Sequence, residues 1–238
     1  MGIRTTPPYI AVATDFANAG TSWLDRGGGV GTGLSKFLMS MWVKPDSFTG
    51  SPCVIFVGDS NPAGTGTYVY YDATNFWWSL RENVAPHLYV GNCVHDMSVG
   101  NWYNVLFSVG YPIATSVPYC YINGVNKALT TDVSGSAVYR CDSTLNIGRT
   151  TGSTQKFGGE MCEPFISWNQ YLDFSQSANR DKFYDSATGK PPTNGNLITR
   201  AGFTPEIYLQ QNAASFGVNS GSLGNLGVNG TLVAGTPP

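Results

Sequence analysis

Between residues 37 and 172 six short β-like runs follow one another, and this series constrains the fold more than any other feature of the chain. They are FLMSMWVKP, CVIFVG, TYVYYDATNFWWSLRE, NWYNVLFSVG, VPYCYINGV and, after LNIGR, GGEMCEPFISWNQYL. Each is rich in Val, Ile, Tyr, Phe and Trp and closes on Gly, Pro, Asn or Asp, which is how an all-β sandwich punctuates itself. The strongest turn signal is Asn123-Gly124, a two-residue hairpin that needs positive φ at both positions. At 238 residues the chain has room for one large β domain with an appendage. Two antiparallel sheets stacked as a sandwich are therefore expected.

Composition narrows the class of partner. Charged residues make up 12% of the chain, against about 25% in an average soluble protein. The surface is polar through hydroxyls and amides instead, which suits extracellular proteins, virion proteins and carbohydrate binders. A net charge of −2 without a Lys/Arg cluster excludes the basic footprint that nucleic-acid binding requires. The first residues lack the apolar core of a secretory signal, and no run approaches the ~18 apolar residues of a membrane span. MGIRTT matches the myristoylation pattern by letter only. The chain is expected to be made in a cytoplasm and released without the general secretory route.

Five segments add a pattern to the runs: residues 39–45, 101–109, 121–124, 145–149 and 157–172. Their order, a strand reading sxWvkP, one reading xWyxvxfsv, a YxNG hairpin, an xIGr strand and a closing strand, resembles the concanavalin A-like jelly roll in its laminin-G and pentraxin-like form. The resemblance implies that fold and no enzyme, since one fold hosts many functions. TSWLDRGGG resembles the family's edge strand and following turn, with Trp23 and Leu24 as buried anchors. The glycines of residues 25–33 are not a phosphate cradle, because no GK[ST] opens a helix after them. Trp42 and Trp102 occupy strands in which the family places core tryptophan, and Trp168 ends the closing strand, under the helix that follows.

That helix is expected over residues 173–189, capped by Asp173 or Ser175, with Phe183 and Tyr184 on its apolar side and Gly189 as its stop. Beyond it, residues 190–238 are rich in Pro, Gly and Asn and hold two strand candidates, at 206–210 and 226–233. The pattern of residues 179–191, 205–209, 216–221 and 226–232 resembles segments that follow jelly rolls in tailed-bacteriophage virion proteins. Three parts are expected: an N-terminal arm and edge strand (1–35), the sandwich with its terminal helix (36–189), and a C-terminal extension (190–238) packing on the core or on a neighbouring subunit.

Catalytic patterns are missing. Retaining glycosidases need two carboxyls about 5 to 5.5 Å apart. In GEMCE, Glu160 and Glu163 are three apart on a strand, which turns them to opposite faces, and Cys162 stands where the second acid belongs. Both glutamates are expected on the solvent side of the closing strand. His87 and His95 lie in loop-like sequence with no GxSxG elbow and no metal spacing, and a set drawn from Asp59, Ser60 and His95 has no motif behind it. Cys53, Cys93, Cys120, Cys141 and Cys162 are odd in number and too far apart for a metal clip. They read as reduced, buried thiols, with Cys53–Cys162 or Cys93–Cys141 as the alternative pairs. Calcium is a weak expectation from Asp59, Asp72, Asn61 and Asn75, two carboxylates without EF-hand spacing.

The best candidate for contact with a ligand or a subunit is the aromatic cluster of Tyr68, Tyr70, Tyr71, Phe76, Trp77, Trp78, His87 and Tyr89, from which Tyr70, Trp77, Trp78, His87 and Tyr89 are singled out. On a strand, consecutive tryptophans face opposite ways, so one ring must meet a second layer or stand open. Three readings remain: core on both faces, a subunit contact, or stacking on sugar. The expected protein is a non-enzymatic structural part of a tailed-bacteriophage virion, a capsid decoration or tail-fibre component, with other virion proteins and copies of itself as partners. The alternatives are a carbohydrate-binding adhesin module and a glycoside hydrolase.

Overall fold

A computed structural model describes residues 12–16, 22–49, 53–58, 66–81, 88–111, 117–134, 139–141, 144–150, 155–193 and 197–238. The first strands are β1 (Ala13–Asp15), β2 (Trp23–Arg26), β3 (Gly31–Leu34), β4 (Lys36–Pro45), β5 (Cys53–Gly58), β6 (Gly66–Tyr71), β7 (Asn75–Arg81), β8 (Leu88–Val94) and β9 (Tyr103–Gly110). They continue with β10 (Tyr119–Ile122), β11 (Val125–Asn126), β12 (Leu129–Ser134), β13 (Tyr139–Cys141), β14 (Thr144–Ile147), β15 (Gly159–Ser167), β16 (Ile207–Tyr208), β17 (Gly227–Asn229) and β18 (Val233–Ala234). Two short helices, α1 (Ser177–Arg180) and α2 (Leu197–Ala201), lie between β15 and β16.

The expected antiparallel sandwich is present. One sheet runs β11-β10-β9-β4-β15-β1-β18, with β16 also on β15; the other runs β12-β8-β7-β6-β5-β14-β2-β17. Between them lies the main core, to which Phe37, Met39, Phe107 and Met161 come from the first sheet and Leu24, Val69, Trp78 and Leu145 from the second. Asn123 (φ 49°) and Gly124 (φ 74°) make the hairpin turn between β10 and β11.

The two outer faces differ. On the first sheet, Leu38, Leu106, Tyr121, Phe165 and Tyr208 are buried with Phe174, Phe183 and Leu197, and Ala13, Trp42 and Cys162 form a neighbouring cluster against Trp102 and Tyr184. This is why β4 reads as an almost unbroken apolar run: both its faces are covered. Strand β6 alternates instead, with Thr67, Val69 and Tyr71 buried and Tyr68 and Tyr70 half-buried, and a small separate sheet of β3 and β13 approaches β5, β6 and β7.

Several expectations are corrected. The helix is one turn, Ser177–Arg180, without a side-chain cap at Gln176. Asp173 Oδ1 accepts from the Ser175 amide at 2.9 Å, so the polar side chains of this segment stabilise turns in place of further helix. Residues 197–201, read as irregular tail, form α2. Strand β2 is not an edge, because β17 pairs with it through Asp25↔Gly227, Leu24↔Val228 and Trp23↔Asn229. Trp168 lies in the intersheet core, edge-on to Phe37 at 5.6 Å, not under the helix. Trp42 is buried, yet on the outer face of the first sheet, stacked on Tyr184 at 5.9 Å. Trp102 is only half-buried and donates to the Thr236 carbonyl at 2.9 Å.

The glutamates depart furthest from expectation. Both are buried, Glu160 at 9% and Glu163 at 1% exposure. The register slips by one residue between Cys162 and Phe165, and Glu163 takes a positive φ of 50° there. This bulge breaks the simple alternation of faces. Glu160 pairs with Lys44 and accepts from the Thr236 amide; Glu163 accepts from the Tyr208 hydroxyl at 3.4 Å. Cys93, Cys120 and Cys162 are free and buried, and Cys93 Sγ lies 3.3 Å from Cys120 Sγ, so neither anticipated pair is formed. The hydrogen bond with the neighbouring Cys93 thiol, and then burial, push the Cys120 thiol well above the usual range. The side chains of Cys53 and Cys141 lie outside the description.

Candidate functional site

Hairpin β6–β7 builds the open face of the second sheet. Its register sets Val69 opposite Trp78 and Tyr70 opposite Trp77, so the first pair points into the core and the second outward. Trp78 is fully buried against Phe107, ring centroids 4.6 Å apart. Tyr70 and Trp77 stack with centroids 5.9 Å apart and planes 7° from parallel, and Tyr68 stacks on Tyr70 at 5.8 Å and 23°. Three half-buried rings thus form one ladder. Asn92 lies opposite Trp77 on β8, and Thr130 opposite Asn92 on β12. They extend the same face with an amide and a hydroxyl.

The turn at residues 72–74 holds the ladder in place. Asp72 Oδ1 accepts from the amides of Thr74 (2.8 Å) and Asn75 (2.7 Å), and Oδ2 accepts from the Trp77 indole N–H at 2.7 Å. Partial burial pushes this carboxyl up, but the three donors outweigh it and hold it below the usual carboxylate range. His95 supports the turn from behind. Its amide donates to the Thr74 carbonyl at 2.9 Å, its Nε2–H to the Asp72 carbonyl at 2.8 Å, and its Nδ1 accepts from the Met97 amide at 3.2 Å. These partners select the neutral Nε2–H tautomer. Burial drives the pKa of His95 down, against the opposing pull of Asp72, and its ring packs on Phe48 with centroids 5.5 Å apart.

A further aromatic group lies on this face. Trp23 is two residues from Asp25 and adjacent to the core residue Leu24, so it points outward, not inward as an anchor. The Arg149 guanidinium stands 3.5 Å from the centre of its ring.

Of the anticipated contact residues, Tyr70 and Trp77 come together and Trp78 belongs to the core. His87 lies outside the described residues; Tyr89 pairs with Leu80 through its backbone in β8, but its side chain is not described. Asp59, Ser60 and Asn61 are also outside the description. Asp72 has both oxygens engaged, and no group of three His, Cys, Asp or Glu among the described residues could hold a metal. Sequence reasoning missed Asp72 as a support for Trp77, though a D-x-x-N turn before a strand was a usable signal. Tyr68, anticipated as part of the aromatic cluster, stacks on Tyr70; Arg149 was missed altogether.

The comparisons agree with this architecture. The family model of the concanavalin A-like lectin/glucanases superfamily matches residues 20–172. The native heptameric SAP-like pentraxin of Limulus polyphemus superposes with a TM-score of 0.58 at 14% identity, covering 95% of each chain. A protein of Bacteroides ovatus assigned as carbohydrate-binding superposes with a TM-score of 0.59 at 18% identity; the match covers 96% of this chain and 59% of that one. These likenesses establish the fold. No functionally curated protein matches the sequence significantly. The match over residues 20–172, with the jelly roll it predicts present in the structure, places the chain in the concanavalin A-like lectin/glucanases superfamily.

Proposed function

We propose that the chain is a non-enzymatic carbohydrate-binding module whose ligand lies on the open face of the second sheet. The observation that carries this reading is the ladder of Tyr68, Tyr70 and Trp77, stacked and half-buried beside Asn92 and Thr130. Aromatic faces take up the C–H faces of sugar rings, and amide and hydroxyl groups exchange hydrogen bonds with the sugar hydroxyls. Because Asp72 already fixes the Trp77 indole, little rotamer entropy is lost on binding. The carbohydrate-binding assignment of the Bacteroides ovatus protein supports the reading. A hydrolase is disfavoured because Glu160 and Glu163 are buried in internal contacts on the covered sheet.

The test is a glycan array followed by calorimetry on wild type, Trp77→Ala and Tyr70→Ala. Trp77→Ala is expected to weaken binding at least tenfold, about 1.4 kcal/mol or more, with an unchanged melting temperature, and a chelator is expected to leave binding intact. An array with no positive sugar, or full affinity in both variants, would sink the reading.

The chain as a part of a tailed-bacteriophage virion is a second reading, resting on the resemblance of the C-terminal extension. None of the proteins named above is a virion component. Mass spectrometry of purified particles tests it.

A further inference from the structure

The Trp23–Arg149 pair is short of an acceptor. The Trp23 indole N–H and the Arg149 Nε–H are both buried without a hydrogen-bond partner. Arg149 takes part in no ion pair among the described residues, where the pairs are Lys44–Glu160 and Lys127–Asp96. Asp25, the carboxylate nearest to Trp23 along the same strand face, is not bonded to it. A stacked guanidinium whose Nε–H has no acceptor is a receptor for a carboxylate, which an arginine can grip with two parallel bonds.

Its position relates it to the ladder. The register links Leu24, Ile147, Ile55, Val69 and Trp78 in one row across the second sheet. One residue further along β2, β6 and β7, Trp23, Tyr70 and Trp77 lie on the opposite face, and the register of the intervening β5 shifts there, between Cys53 and Ile55. Three strand spacings separate β2 from β6, about 14 Å at ~4.8 Å per spacing. That is several sugar rings, too far for one monosaccharide to touch both.

Building on the carbohydrate reading, we infer that the ligand is an acidic oligosaccharide lying across the strands. Its rings stack on Tyr70 and Trp77, and a uronate-type carboxylate is bound by Arg149 on the platform of Trp23.

The experiment measures binding of hexasaccharides built from galacturonate, mannuronate or glucuronate, each beside its methyl ester, which removes the charge and keeps the sugar. At least one acid is expected to bind tenfold or more tighter than its ester, and that preference should shrink as salt is raised. Arg149→Gln is expected to abolish the preference, lowering acid affinity more than ester affinity; Trp77→Ala should weaken acid and ester alike. Equal affinity for acid and ester in every wild-type pair overturns the inference without needing any variant, and so does a preference that survives in folded Arg149→Gln. Neutral sugars bound on the array with no acid preference would leave the module reading standing and this inference refuted. Silence from every sugar would remove both.

Discussion

Asp72 shows how much one residue can organise on an otherwise weakly charged surface. Its carboxylate closes the β6–β7 turn and anchors the Trp77 indole, while its carbonyl receives the His95 Nε2–H. His95 makes this turn sensitive to pH. Its native pKa lies below the ordinary value of 6.5, so above that value both native and unfolded chains are neutral at this site. As the pH falls below 6.5 the unfolded chain takes up the proton first, and stability is lost progressively until the native pKa is reached. The Asp72 contribution is present above its ordinary value of 3.8 and is lost only as the pH falls through its lowered native value. The melting temperature is therefore expected to drop as the pH falls below 6.5, and His95→Gln should flatten that slope. An equal slope in the variant would assign the effect to other groups. Of these residues, the sequence revealed the aromatic side chains and the turn; it could not show that Oδ2 reaches the indole, because that bond depends on the turn's geometry.

At the scale of elements, the same hairpin separates two adjacent tryptophans into opposite roles. Trp78 needs Gly91 opposite it on β8: an added Cβ there would stand 2.4 Å from the Trp78 ring and 2.8 Å from the Thr130 carbonyl. Gly91→Ala is expected to destabilise the fold by about 1–3 kcal/mol through overpacking, read as a lower denaturant midpoint. An unchanged midpoint would mean that the indole has room to shift. Alternation along FWW announced that the two rings diverge, but which one is covered depended on whether a third layer lies over the second sheet. In β15 alternation failed. A bulge costs no unusual letters, and a glutamate at positive φ, a conformation that favours Gly or Asn, gave no warning of it.

For the whole molecule, the C-terminal extension is part of the sandwich. Ile207, Leu209, Phe216 and Leu226 belong to the main core, β16 joins the first sheet, and β17 covers β2. Burying four such side chains contributes on the order of 6–12 kcal/mol at roughly 1.5–3 kcal/mol each, comparable with the ~5–15 kcal/mol stability of a typical domain. A chain ending at Gly189 is thus expected to lose its cooperative melt and to be degraded by trypsin under conditions in which the full chain resists. A folded truncated chain would show instead that the extension is a separable appendage.

Local information determined the class of this protein. Short β-rich runs, their turn residues and their order specify an antiparallel jelly roll, because period-2 alternation and turn chemistry are properties of neighbouring residues. Tertiary structure decided everything that depends on residues far apart in sequence. The extension covers one sheet edge and feeds the core, the layer of Phe174, Phe183 and Leu197 buries one outer face, and on the outward side of the other sheet Tyr68, Tyr70 and Trp77 stay half-buried. Which face of a sheet stays open is set by what packs over it, and no periodicity within a strand records that.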